Sequence, residues 1–168
     1  PRRMMAEVLH DTVAEITQVP TAFTNVGLAD GSNQKVEFYE KGTRAIQLFD
    51  SAIRNYFLKT FGRNERAITC DCERSNQPSM VQVLHLSNGD TLNEKLRAED
   101  GRIQQLLEME ADAVIEEAYL LALSRMPTER EREEFEAVFA ETPAEERRLA
   151  TEDLFWSLMT SREFLFQH

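Results

Sequence analysis

Apolar residues along the chain fall at helical spacing over most of its length. Met5, Val8, Leu9, Thr12, Val13 and Ile16 recur every three to four positions, which predicts a first helix over residues 4–17, ended by Pro20. Residues 21–43 break this rhythm with Gly27, Gly31, Gly42 and a polar run from Asp30 to Gln34, and read as an irregular connection. Within and beyond it, residues 35–39 and 43–49 alternate, as two short strands would, with a turn near Lys41 and Gly42. Helical spacing resumes over 51–61, where Ile53, Tyr56, Phe57 and Phe61 share a face, Asp50 or Ser51 can cap the start and Gly62 can stop the end.

Residues 62–76 are polar and aperiodic. Pro78 then opens a helix carrying Met80, Val81, Leu84 and His85, closed by Asn88 and Gly89. From Thr91 onward the pattern is helical throughout, over 92–98, 102–109, 112–125, 128–140 and 144–160, with a last turn at 162–166. Thr128 is placed to cap a helix whose first turn is rich in acids. The aromatic residues Phe155, Trp156, Phe164 and Phe166 could form a platform for a sugar ring, but their helical spacing assigns them to a core. The fold expected is therefore mainly α: a bundle of about six to eight helices with a loop-rich insertion and room for a small β-hairpin near residues 35–49.

A chain of 168 residues suits one domain, so a single helical domain over 1–168 is expected. Pro1 stands where an initiator methionine would, which suggests that this domain is cut from a longer protein. No run approaches the roughly 18–20 apolar residues of a membrane span, and membrane insertion is not expected. Charge changes the picture more. Residues 1–100 carry 12 Lys and Arg against 14 acids, whereas residues 101–168 carry 7 Arg, no Lys and 16 acids, so the net charge of −11 divides as −2 and −9. Such an acidic half argues against a nucleic acid or an anionic membrane as ligand. It fits either a solvated helix face or an acidic docking surface.

The one constellation with chemical potential is Cys70-Asp71-Cys72-Glu73-Arg74-Ser75, followed by His85. Cys70, Cys72 and His85 could begin a metal site, with Asp71, Glu73 or the distant His10 as fourth ligand. Against this, a Cys-x-Cys spacing sends its side chains to opposite sides of an extended segment. A Cys–His nucleophilic pair would need thiolate activation, which Arg74 could assist, and an oxyanion donor that no motif supplies. The plainer reading packs Cys72 as a small hydrophobe, pairs Glu73 with Arg74, and lets Ser75 or Asn76 cap the next helix. A haem-attachment run, a phosphate-binding glycine loop, His-Glu-x-x-His and Gly-x-Ser-x-Gly are all absent.

Several stretches resemble one family. They are residues 2–11 (Arg2-Arg3-Met4-Met5-Ala6-Glu7-Val8-Leu9-His10-Asp11), 43–50, 56–63, Cys72-Glu73-Arg74-Ser75-Asn76-Gln77-Pro78-Ser79 running into 82–89, then 123–128 and 161–168. Together they resemble the C-terminal domain of unknown function of large planctomycete-type proteins that carry cytochrome c-like domains, the planctomycete PSD-one family. Met126 departs from the family pattern where a second proline is usual, and Gln167 where asparagine is expected. The resemblance implies a large exported, periplasmic or envelope-associated parent, with haem elsewhere in the parent and no cofactor in this domain. It implies no reaction.

Two functions follow from this reading. One is a non-catalytic interaction or scaffold module whose partners are other domains of the same chain or envelope proteins. The other is an enzymatic or ligand-binding domain centred on Cys72, Glu73, Arg74 and His85, completed by a domain that precedes it.

Overall fold

Helix α1, Ala6–Thr17, ends where Gln18 turns into the left-handed region at φ 56°, two residues before Pro20. A computed structural model describes residues 2–28, 30–49, 52–63 and 90–167. Over these residues the chain is mainly helical, as its periodicity predicts. It divides into two compact units: one of Arg3–Glu15 and Pro20–Gly89, the other of Pro1–Arg2, Ile16–Val19 and Asp90–His168.

In the first unit, β1 (Asn25–Gly27) pairs antiparallel with β2 (Asn33–Lys35), with Val26 opposite Gln34. The link between them is tied by Asp30, whose side chain accepts the backbone N–H of Ser32 (2.9 Å) and its hydroxyl (2.6 Å), while Gly31 supplies φ 86°. The hairpin is therefore present but lies earlier than the 35–49 the alternation suggests. Residues 43–49 do not form a strand. They close a 3-10 turn at Ala45–Gln47, in which the Gln47 side chain accepts the Arg44 N–H at 2.9 Å. Ala45 and Leu48, three apart, are the buried positions of that turn, a spacing that also satisfies an alternating reader.

The helix expected over 51–61 is shorter. Residues 52–54 run extended beside β1, with Gly27 N–H donating to the Ala52 carbonyl (2.8 Å) and Arg54 N–H to that of Asn25 (2.7 Å). Asn55 then caps α2, Tyr56–Thr60, by accepting the Leu58 N–H at 3.0 Å. Ile53, Phe57 and Phe61 are buried as predicted, but Tyr56 at the start of the helix is 65% exposed. Gly62 ends the helix at φ 91°: Arg63 N–H reaches the Leu58 carbonyl and Gly62 N–H that of Lys59, satisfying two terminal carbonyls at once.

The second unit is a helical bundle of α3 (Asp90–Arg97), α4 (Arg102–Leu106), α5 (Ala111–Leu123), α6 (Glu129–Glu141), α7 (Arg147–Met159) and α8 (Arg162–Leu165). Helix α7 packs against each of the other five. Leu154, Phe155, Leu158 and Met159 are buried on it, against Leu92, Ile103, Ile115, Ala118 and Phe164 from its neighbours. Side chains of this size contribute about 1.5–3 kcal/mol each on full burial. Thr128 caps α6 as expected, accepting the Glu131 N–H while the Glu131 carboxylate accepts the Thr128 N–H at 2.7 Å. Ser161 caps α8 through Phe164 N–H. Phe155 and Phe164 are buried and Trp156 and Phe166 half-buried, so these aromatics are core and not a sugar platform.

Candidate functional site

The chemistry-bearing residues named from the sequence, Cys70, Cys72, Glu73, Arg74 and His85, lie outside the described residues, as do Asp71 and the helix expected to follow Pro78. His10, the distant candidate ligand, is described. It is 2% exposed on α1, set between the rings of Phe23 (centroids 5.4 Å apart) and Phe57 (5.5 Å, edge-on). Its Nε2 lies 3.1 Å from the Thr21 hydroxyl.

Around His10 the first unit buries a polar face that an amphipathic reading of α1 leaves in solvent. Glu7, His10 and Asp11 are spaced three and four apart, hence on one side of the helix. All three are buried, and so is Arg3 just upstream. Burial of such groups requires partners, because an unpaired polar group in the interior costs several kcal/mol. Asp11 finds them in the 3-10 turn: Oδ1 accepts the Ala45 N–H at 2.5 Å and Oδ2 the Ile46 N–H at 3.1 Å, with the exposed Arg44 Nε 3.7 Å away. Glu7 faces Arg63, Nε to Oε1 at 3.6 Å, and Arg63 also reaches the Leu48 carbonyl at 3.4 Å. Arg3 donates to the Phe61 carbonyl at 2.8 Å and lies over the Phe61 ring, 5.8 Å from its centroid. Desolvation lowers the pKa of Arg3 from its ordinary value.

Thr21, His10 and Asp11 present a hydroxyl, an imidazole and a carboxylate in sequence, the order of a nucleophilic triad. The geometry serves structure. His10 Nδ1 is 3.6 Å from Asp11 Oδ1, beyond hydrogen-bonding reach, and the Asp11 carboxylate is committed to two backbone N–H groups. Among the described residues, no group of three or more His, Cys, Asp or Glu is placed to hold a metal ion.

In the second unit the cations are engaged in the same way. Lys95 donates to the Val19 carbonyl and Arg102 Nε to that of Ile16 at 2.6 Å, so two cations serve the last turn of α1, which has no basic residue of its own. Burial pushes Lys95 down to about 8, with Glu94 opposing. Arg148 donates to the carbonyls of Arg97 and Ala98 and pairs with Glu152. Arg125 holds two carboxylates, Glu131 (2.8 Å) and Glu163 (2.7 Å), with its guanidinium 5.1 Å from the Tyr119 ring centroid. These hydrogen bonds from Arg125, with Thr128 adding its own, hold Glu131 down to about 2. Desolvation first, then Glu131, raises Tyr119 to about 12.

What the sequence reading missed is on the surface of the first unit. Phe49 is 76% and Phe38 55% exposed, and with the largely buried Tyr39 they form one aromatic cluster, centroids 4.7 to 5.8 Å apart. Their alternation with polar residues is visible in the sequence, but it reads only as two short strands. Large exposed aromatics in contact with one another mark binding surfaces far more often than solitary ones do.

No described helix is long and apolar enough to cross a membrane. The profile of a family described as "PSD1: Protein of unknown function (DUF1553)" matches residues 1–139. Neither the curated proteins nor the solved structures contain a match.

Proposed function

This chain belongs to the PSD1 family of proteins of unknown function (DUF1553), and on that premise we propose that it is a non-catalytic interaction module of a larger exported or envelope-associated protein. The observation that carries this reading is the aromatic cluster in which the exposed Phe38 and Phe49 rest on the buried Tyr39. Two phenyl rings left largely in water forgo part of the about 1.5–3 kcal/mol that full burial of each contributes, and a partner recovers it. A second consideration supports it. The ionisable side chains at the centre of both units, from Asp11 and Arg3 to Lys95 and Arg148, are tied to backbone groups and hold the fold.

The partner in this reading is another domain of the same chain or an envelope protein. Haem, where the parent carries it, belongs to other domains. The test is site-specific photo-crosslinking in the parent protein expressed in its own cells, with the reactive side chain at position 49 and, as control, at the exposed position 130. A single dominant adduct from position 49, absent from the control, is expected. Matching adducts from both positions would sink the proposal. The rival, a ligand or catalytic site on Cys72, Glu73, Arg74 and His85, gains ground instead if the purified chain binds metal stoichiometrically and loses it on Cys72→Ser.

A further inference from the structure

We draw no further inference here: the strongest candidate, the surface patch of the first unit in which Phe38 and Phe49 rest on Tyr39, belongs to the reading already given, and nothing in the structure shows what covers it.

Discussion

Asp11 Oδ1 accepts the backbone N–H of Ala45 at 2.5 Å, across 34 positions of sequence, and the carboxylate's other oxygen takes the next N–H, that of Ile46. One side chain of α1 thus does the work of an N-cap for a turn that it does not belong to. Replacing it by alanine leaves two backbone donors without that acceptor, at about 1–3 kcal/mol per orphaned group. We expect Asp11→Ala to lower the unfolding free energy, read from urea titration, by an amount in this range or above, and Asp11→Asn, which keeps one acceptor, by less. Equal loss in both variants would mean that charge, and not hydrogen bonding, is what the turn requires.

Glu131 ties three elements through Arg125 and Thr128, and its folded pKa of about 2 lies below the ordinary carboxyl value of 4.5. A depressed acid contributes stability above the unfolded-state pKa and loses it as pH falls through the folded one. The melting temperature should therefore fall between roughly pH 4.5 and pH 2 more steeply in the parent chain than in Glu131→Gln. The two curves should converge near pH 2. Parallel curves would show that Glu131 is no better solvated by Arg125 than by water.

Lys95 carries the opposite sign. Its folded pKa of about 8 lies below the ordinary 10.5, because burial disfavours the charged form. Between these two values the unfolded chain holds a proton that the folded chain has released, so stability rises with pH across that window. Lys95→Met should flatten the slope of unfolding free energy between pH 8 and 10.5 relative to the parent chain. An unchanged slope would place the lysine's charge in solvent.

Gly101 sits where the chain passes closest to Val19. A Cβ there would lie 3.0 Å from Val19 Cγ2, 3.2 Å from the Thr17 carbonyl oxygen and 3.3 Å from that of Ala98. Gly101→Ala should destabilise by about 1–3 kcal/mol, as overpacking of a tight contact does. Pairing it with Val19→Ala should restore part of the loss, since the two carbonyl contacts remain. Full restoration would assign the strain to the side chain alone.

The helices of the second unit were legible because their signals are local. Thr128 and Glu131 form their reciprocal cap within four residues, and the apolar spacing of Leu154, Phe155, Leu158 and Met159 states directly which face is buried. Gly62 was legible for the same reason. Misreadings occurred where a distant residue decides the outcome. The alternation over 43–49 became a turn because Asp11 supplies its cap, and residues 52–54 stayed extended because β1 offers them hydrogen-bonding partners. The buried polar residues of α1, and Arg3 just before it, were invisible for the same cause: Ala45, Arg63 and Phe61, which satisfy Asp11, Glu7 and Arg3, are 34 to 58 positions away. The aromatic surface had a signal, the run of Phe38, Tyr39 and Phe49. Spacing alone does not say whether such a run faces inward or outward.

The carbonyls of Ile16 and Val19 are met by cations that the ribosome supplies some eighty residues later, Arg102 and Lys95. The unit that contains residues 90–168 is consequently discontinuous along the chain, since it includes a four-residue splint, Ile16–Val19. A fragment begun at residue 90 would carry two cations, the buried Lys95 and the half-buried Arg102, with their acceptors missing, and an open slot beside Gly101. Dissection of this protein into pieces should follow that topology: a fragment of the second unit must keep Ile16–Val19 with residues 90–168.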